Sequence, residues 1–373
     1  MRNRLDSHDV PVTSALRGVA PKRGGMLPLL LLIAGIFAVK FLFFSGKEQP
    51  PSEPETEQGY VVAYDPDLAR LEKAAELARA TAEPEKPKGP KDLPPPEPGK
   101  FRVAAAQFYS RFNRKNVNRY RMAGFVEQAA RLHTQVLVFP EAALNGYCDL
   151  TDWNFWARDP EKANAAPAQE SCFYFDIGKT AETADGESVN IFRKLAAKHQ
   201  MYIAFPFIER DPQDNSYYNS VSLLAPDGTT ALHVRKSRLP EGIDTYWASE
   251  GEQKPPFSIA TPYGRMGVII GCDTLAALPK LEAEKAEIIL HCAAFTAINM
   301  DKWLNGKYRE LLKKAGCAAV LANWTPPYTP YWDGYGLSRI INRENEKVAA
   351  LGTEAEERLV IGDLDIVSPD KGK

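Results

Sequence analysis

The sequence predicts an α/β fold for the C-terminal three quarters of the chain, because short apolar runs alternate with amphipathic helical segments from Phe101 onward. Buried strands are indicated by three almost entirely apolar runs, FRVAAAQF, QVLVFP and GRMGVIIG. A helix is indicated by NVNRYRMAGFVEQAARLH, in which Met122, Phe125, Val126 and Ala129 share one face. This alternation predicts sheets that are covered by helices.

The remaining elements of this domain follow the same pattern. A helix is predicted near Val189–His199. Further elements are strands over residues 201–207, 218–225 and 229–236, then strand IILHCAAF, helix DKWLNGKYRELLKKAG and strand CAAVLANW. The C-terminal residues 336–366 are predicted to form a β-meander with turns at Arg343–Glu346 and Thr353–Glu356.

A single membrane-spanning helix is predicted over residues 26–45, MLPLLLLIAGIFAVKFLFFS. At about 1.5 Å per residue, its length matches a bilayer core of about 30 Å. Residues 1–25 carry five Lys and Arg against two Asp, so the positive-inside rule places this basic tail in the cytoplasm. The rest of the chain is then extracytoplasmic, which means periplasmic in a Gram-negative cell. A cleaved signal peptide is the alternative, but no A-x-A site follows the apolar run.

Residues 46–100 have the composition of a linker, with 11 of the 29 prolines of the chain. Within them, residues 67–82, DLARLEKAAELARATA, predict a short helix whose apolar stripe is mostly alanine. This helix either docks on the following domain or a partner, or lies exposed in the linker. The following domain is expected over residues 101–373.

Composition and charge argue against several classes of protein. The formal charge is −2, from 46 basic and 48 acidic residues, and gives no support for nucleic-acid binding. The five cysteines include no C-x-x-C pair, which argues against a zinc ribbon or a thioredoxin motif. The sequence also lacks G-x-S-x-G, P-loop and G-x-G-x-x-G motifs. We therefore expect neither a metal nor an organic cofactor.

Three motifs with chemically useful side chains stand at the ends of predicted strands, where α/β folds place their active sites. Glu141 follows a strand in VLVFPEAALNGY, Lys236 follows one in HVRKSRLP, and Cys272 follows one in GRMGVIIGCDTLAALP. Each residue alone also has a structural interpretation, as a loop acid, a solvated lysine and a buried thiol respectively.

Taken together, the three motifs resemble the carbon-nitrogen hydrolase (nitrilase) superfamily from about Phe101 to Ile366. The resemblance rests on the order Glu, Lys, Cys, and on FPE, RK before Leu-Pro, and GxxxGCD before a proline. It extends to YYNSVSLLAPDG, to the AN of VLANW and to GLSRII. The resemblance implies a four-layer αββα sandwich, a Glu-Lys-Cys triad and a homodimer or larger complex.

The resemblance implies a role for each member of the triad. Cys272 would attack the substrate carbon as a thiolate, and Glu141 would take its proton and later protonate the leaving amine. Lys236 would stabilise the tetrahedral oxyanion, helped by the backbone N–H that follows the cysteine.

The substrate subtype depends on neighbouring residues. Asp273 follows Cys272, as in the amidase branch, which favours an amide substrate over a nitrile. Many relatives carry a second acid after the lysine motif, and here either Glu241 or Asp244 could fill that place. An aromatic residue that relatives usually carry is missing from DTLAALP.

The aromatic-rich stretch of residues 147–176 is either a lid or pocket wall, or a packing insertion. Tyr147, Trp153 and Trp156 are its candidate substrate contacts. Because the domain is predicted to lie outside the cytoplasm, we also predict a disulfide between Cys148 and Cys172. The remaining cysteines, Cys292 and Cys317, lie in apolar runs and are predicted to be buried thiols. A protease dyad of His291 and Cys292 is disfavoured, since strand neighbours point to opposite faces.

These observations predict a membrane-anchored hydrolase of non-peptide amides that acts on a small molecule. A second hypothesis is a catalytically silent subunit, held by its anchor in a larger membrane assembly. A third is an N-acyltransferase, in which an amine or lipid replaces water at the thioester.

Overall fold

The computed structural model of the chain describes residues 93–147, 177–240, 244–252, 254–296, 300–325, 334–352 and 356–367. Within these ranges, no helix combines the length and the apolar character needed to cross a membrane. The predicted basic tail, the spanning helix over residues 26–45 and the helix over residues 67–82 lie outside them.

The described strands form two sheets of six. They are β1 (Lys100–Gln107), β2 (Val136–Val138), β3 (Tyr202–Arg210), β4 (Tyr217–Leu224), β5 (Thr230–Arg235), β6 (Ser258–Thr261), β7 (Gly264–Ile270), β8 (Ile288–Cys292), β9 (Ala318–Ala322), β10 (Arg339–Ile341), β11 (Lys347–Ala350) and β12 (Arg358–Asp365). The first sheet has the order β12-β1-β2-β3-β4-β5, and the second has the order β11-β10-β9-β8-β7-β6.

The described helices cover the outer faces of the sheets. They are α1 (Lys115–Arg131), α2 (Ile177–Thr180), α3 (Glu187–His199), α4 (Thr274–Ala283), α5 (Met300–Asn305) and α6 (Lys307–Ala315), with 3-10 turns at Asp244–Tyr246 and Gly271–Asp273. The strands and helices over most of the domain agree with the sequence predictions to within a few residues.

The two sheets face each other across a shared apolar core, to which Val103 of β1 and Val268 of β7 contribute. Because side chains alternate along a strand, the neighbouring Ala104 belongs instead to the core beneath α1 and α3. In the same way, Ile269 belongs to the core beneath α4, α5 and α6. The layers therefore follow the order helices, sheet, sheet, helices.

One end of both sheets carries the three sequence motifs. Strands β1, β2 and β3 run parallel to one another, as do β7, β8 and β9. The backbone N–H of Glu141, after β2, donates to the carbonyl of Ala293, after β8, at 3.2 Å. The carboxyl ends of strands from both sheets thus meet at one place, as expected for an α/β active site.

Two predicted elements differ from the structure. The helix expected over residues 301–316 is divided at Gly306 into α5 and α6. The predicted β-meander is wrong, because β10 and β11 form a hairpin in the second sheet while β12 pairs antiparallel with β1 in the first. Strand β11 is largely exposed. The chain then crosses from the second sheet to the first, where Val360 and Leu364 of β12 are buried in the core between the sheets.

Candidate active site

Glu141 lies three residues beyond the end of β2 and is almost fully buried. Its Oε1 atom accepts hydrogen bonds from Lys236 Nζ at 2.5 Å and from Asn219 Nδ2 at 2.8 Å. The indole N–H of Trp324 donates to its main-chain carbonyl at 2.8 Å. Side chain and backbone are therefore both fixed. Burial raises the pKa of Glu141, Lys236 opposes that effect, and the charge of Asp244 adds to it.

Lys236 begins the segment after β5, and its ammonium group lies between two carboxylates. Nζ is 2.5 Å from Glu141 Oε1 and 2.5 Å from Asp244 Oδ2. Burial alone would lower the pKa of this lysine, but the charges of Asp244 and Glu141 raise it well above its ordinary value. The lysine is consequently a permanent cation that two acids share.

Tyr147 joins the same two acids through its hydroxyl group. Its Oη lies 2.9 Å from Glu141 Oε1 and 2.9 Å from Asp244 Oδ1, and it accepts from Asn219 Nδ2 at 2.5 Å. Burial raises the pKa of Tyr147 well above its ordinary value, and the two carboxylates add to this shift. The hydroxyl therefore keeps its single proton and offers it to one carboxylate at a time. Its role as a substrate contact stays a prediction.

The question of the second acid is answered in part by this arrangement. Asp244 is fully buried and bonded to both Lys236 and Tyr147. The alternative, Glu241, lies outside the described residues, as do Trp153, Trp156 and the predicted Cys148–Cys172 pair. We name Glu141, Lys236, Asp244, Tyr147 and Asn219 the carboxylate cluster.

Cys272 lies on the 3-10 turn at the end of β7 and remains accessible to solvent. Its thiol is 3.4 Å from the carbonyl oxygen of Arg238. The surroundings of the sulfur raise its pKa to about 11, mainly through burial, although the positive charge of Lys236 acts in the opposite direction. At neutral pH the group is a thiol, so it needs a base before it can act as a nucleophile.

Gly271 explains how the cysteine turn and the carboxylate cluster fit together. Its φ of +48° lies in the left-handed region that favours glycine. A Cβ atom at this position would lie 2.3 Å from Glu141 Oε2. The carboxylate is thus bound by Lys236 through Oε1, while Oε2 lies against the residue that precedes Cys272.

Asp273 connects the cysteine turn to the segment after Lys236. Its carboxylate accepts from the backbone N–H of Ser237 at 2.8 Å and from that of Arg238 at 2.7 Å. These bonds hold the cysteine turn against the segment that follows Lys236. The role of Asp273 as a substrate contact stays a prediction.

Cys292, Cys317 and His291, which are described and lie outside this site, agree with the sequence predictions. Cys292 and Cys317 are buried. Cys292 faces the core between the sheets, and His291 faces the helices, where it contacts Tyr308. The two residues therefore do not form a dyad.

Sequence reasoning missed Asn219, Gly271 and Trp324 as site residues. Each one stood inside a quoted motif: Asn219 in YYNSVSLL, Gly271 in GxxxGCD and Trp324 in VLANW. For Asn219 and Gly271 the useful signal was a polar or small residue at a position where an apolar strand or its end has no structural need of it.

Comparison with known proteins identifies chains that are similar to this one in sequence. A family model described as carbon-nitrogen hydrolase matches residues 102–369. An aliphatic nitrilase from Sinorhizobium fredii is 27% identical over 206 residues, which cover 55% of this chain and 63% of that protein. A citrullinase from Francisella tularensis is 32% identical over 127 residues, which cover 32% of this chain and 42% of that protein. The chain thus spans less than two thirds of the length of these curated relatives.

Solved structures agree on the fold. Nit3 from Saccharomyces cerevisiae, a member of branch 10 of the nitrilase superfamily, superposes with a TM-score of 0.58 at 21% identity, covering 72% of this chain and 90% of Nit3. An amidase from Nesterenkonia sp. gives a TM-score of 0.55 at 17% identity, covering 71% of this chain and 90% of the amidase.

Proposed function

This chain belongs to the carbon-nitrogen hydrolase family, and we propose that it hydrolyses a small, non-peptide amide through a thioester on Cys272. The observation that carries the proposal is the convergence of Glu141 and Lys236 behind the turn of the one solvent-accessible cysteine among the described residues. A nucleophile, a base and a cation at one site are the minimum for such a reaction.

The first half-reaction begins with proton transfer. With a thiol pKa of about 11, Cys272 is a weak nucleophile at neutral pH. Glu141 accepts the thiol proton, and the sulfur attacks the substrate carbonyl carbon to form a tetrahedral oxyanion. Lys236 and the backbone N–H of Asp273 stabilise that oxyanion. Glu141 then gives the proton to the leaving amine, the C–N bond breaks, and a thioester remains on the cysteine.

The second half-reaction repeats the same proton transfers with water. Glu141 takes a proton from a water molecule, which attacks the thioester carbon. The second tetrahedral intermediate collapses, the C–S bond breaks, and the proton returns to the sulfur. The carboxylic acid leaves, and the free enzyme is restored. The raised pKa of Glu141 suits this double role, because a carboxyl group of higher pKa is the stronger base.

An amide is favoured over a nitrile by the Cys-Asp sequence at positions 272 and 273. We also propose that residues 26–45 anchor the enzyme in a membrane, with the catalytic domain on the extracytoplasmic side. The same anchor would serve a silent subunit of a membrane assembly or an N-acyltransferase, so the experiment must separate three outcomes.

The test uses the full chain purified in detergent, with a panel of aliphatic amides and the matching nitriles. We expect ammonia release from at least one amide by the wild type, and none by Cys272→Ala. Cys317→Ala is the matched control, since this thiol is buried and bonds the carbonyl of Ala286. The control should retain wild-type turnover.

Other outcomes distinguish the alternatives. Release of ammonia from nitriles alone would overturn the amide assignment. Transfer of the acyl group to an added primary amine in preference to water would favour the acyltransferase. A wild type that neither turns over any member of the panel nor forms a mass adduct on Cys272 would favour the silent subunit. Protease accessibility in vesicles of known orientation tests the predicted topology separately.

A further inference from the structure

A buried chain of hydrogen bonds from α6 and β8 reaches the backbone directly before Cys272. His291 of β8 is fully buried. Its Nε2 atom is 2.9 Å from the carbonyl oxygen of Gly271, and its Nδ1 atom is 3.0 Å from Tyr308 Oη. The imidazole thus connects α6 with the residue that precedes the candidate nucleophile.

The chemistry of the partners fixes where the protons lie. A carbonyl oxygen only accepts hydrogen bonds, so Nε2 carries the ring proton and donates it to Gly271. Burial lowers the pKa of His291 to about 4, so the ring is neutral near pH 7 and its Nδ1 accepts the hydroxyl proton of Tyr308. Tyr308 is itself fixed by stacking on Trp303, with ring centroids 5.1 Å apart.

The hydrogen bond between His291 and Gly271 lies just beyond the end of the β7–β8 ladder. The last register pair between β7 and β8 joins Ile270 to Cys292. Gly271 lies one residue beyond that ladder and adopts a φ of +48°. The His291 side chain therefore replaces the missing ladder partner and fixes the plane of the peptide between Gly271 and Cys272. That plane sets the direction in which the thiol leaves the backbone.

We infer that His291 is a positioning residue for Cys272, which orients the nucleophile by holding the Gly271 carbonyl with its Nε2–H group. The inference rests on the function proposed for Cys272 and deepens it. His291 does not touch the thiol in this arrangement and takes no proton from it.

The experiment measures the rate at which iodoacetamide alkylates Cys272 in the full chain between pH 6 and 9. Peptide mass analysis identifies the alkylated residue. This readout needs no knowledge of the substrate. His291→Leu removes the donor, and we expect alkylation to slow about tenfold, which corresponds to the loss of one buried hydrogen bond. His291→Gln retains an amide N–H near the Nε2 position and should restore the rate to within about threefold of wild type. Neither variant should change how steeply the rate rises with pH over this range, because a neutral ring contributes no charge.

Two further variants separate positioning from general damage to the fold. Tyr308→Phe removes only the hydroxyl that fixes the ring, and we expect a loss of about threefold. Ser338→Ala removes a buried hydrogen bond to Asn323 between the ends of β9 and β10, which β8 separates from β7, and should leave the rate unchanged. If His291→Leu does not fold, His291→Gln and Tyr308→Phe still provide the test.

The inference is wrong if folded His291→Leu alkylates at the wild-type rate, or if Ser338→Ala slows alkylation as much as His291→Leu does. Failure of the proposed function has a different signature. In that case the wild type would turn over no amide of the panel, while the effects of the position 291 variants on alkylation would remain.

Discussion

Two glutamates of the first sheet, Glu141 and Glu209, are each 2% exposed, yet their pKa values shift in opposite directions. Burial raises the pKa of Glu209, but hydrogen bonds and charges from His233 and Arg235 outweigh it and lower the value to about 2. Arg235 donates to this carboxylate at 2.5 Å and 3.0 Å, and Ser220 donates at 2.6 Å. Glu209 is therefore held ionised.

Glu141 is surrounded differently. One cation, Lys236, is shared between Glu141 and Asp244, so the charge of the second acid adds to the effect of burial. The comparison teaches that burial alone does not make a carboxylate reactive. Around Glu209 the hydrogen bonds and positive charge outweigh burial, so the group stays ionised. Around Glu141 burial and the charge of Asp244 outweigh Lys236, so the carboxylate gains affinity for a proton, as a catalytic base does.

The largest effect should come from exchanging each glutamate for its isosteric amide. Glu141→Gln removes the base, and we expect turnover to fall about 1,000-fold. Glu209→Gln should leave turnover per folded molecule within about twofold. It should lower the free energy of unfolding by about 3 kcal/mol, because Arg235 loses its buried partner. Urea titration and ammonia release measure the two quantities. Equal losses of turnover in the two variants would contradict the comparison.

The next effect concerns the glycine that contacts Glu141. In Gly271→Ala the new methyl group would lie 2.3 Å from Oε2 and displace the carboxylate. We expect turnover to fall about 100-fold, because a displacement of a catalytic group by about an ångström lowers the rate by about that factor. Gly316→Ala is the matched control, since Gly316 also has a positive φ, +67°, but open space around it. That control should cost only about 1 kcal/mol of stability and leave alkylation of Cys272 unchanged.

A smaller effect is expected from the second acid. Asp244→Asn keeps the shape of the side chain but removes a negative charge that raises the pKa of Glu141. The acidic limb of the rate profile should move to lower pH, and the maximal rate should fall about tenfold because Glu141 becomes a weaker base. Asp211→Asn, beside Glu209, is the control and should alter neither quantity. An acidic limb that stays in place would mean that Asp244 does not act on Glu141.

The last prediction concerns stability, and we expect it to have the smallest effect on activity. It is the dependence of the free energy of unfolding on pH. The pKa of Glu209 falls from 4.5 to about 2 on folding. Its contribution is therefore complete above about pH 4.5 and is lost as the pH falls through about 2, for a total of about 3 kcal/mol. Glu141 has the opposite sign, since its raised pKa gives stability at low pH that is lost as the pH rises. Denaturant titrations between pH 2 and 7 should show a steep acid loss that Glu209→Gln removes and Glu141→Gln leaves in place.

The sequence predicted the elements and the motifs better than it predicted their partners. Glu141, Lys236 and Cys272 were singled out because each follows an apolar strand, and parallel strands bring their carboxyl ends together. Only the resemblance of the three motifs to the carbon-nitrogen hydrolases joined them into a predicted triad. The choice between Glu241 and Asp244 stayed open, because only the side-chain geometry reveals which acid reaches the lysine. Strand β6 was absent from the predictions, since four residues carry too little periodicity. The interruption at Gly306 was missed because a single glycine is tolerated within many helices.

The pairing of β12 with β1 could not be predicted because the two strands are far apart in the sequence. The same separation affects how the domain folds. Lys100 pairs with Asp365, so β1, the first of the described strands, is synthesised long before its partner β12, the last of them. Until then β1 has one unsatisfied edge, which is a site for wrong pairing. Contacts of such sequence separation form slowly. The domain therefore completes its first sheet only after synthesis of residue 365, and a chain cut before Arg358 would leave that nascent edge permanently open.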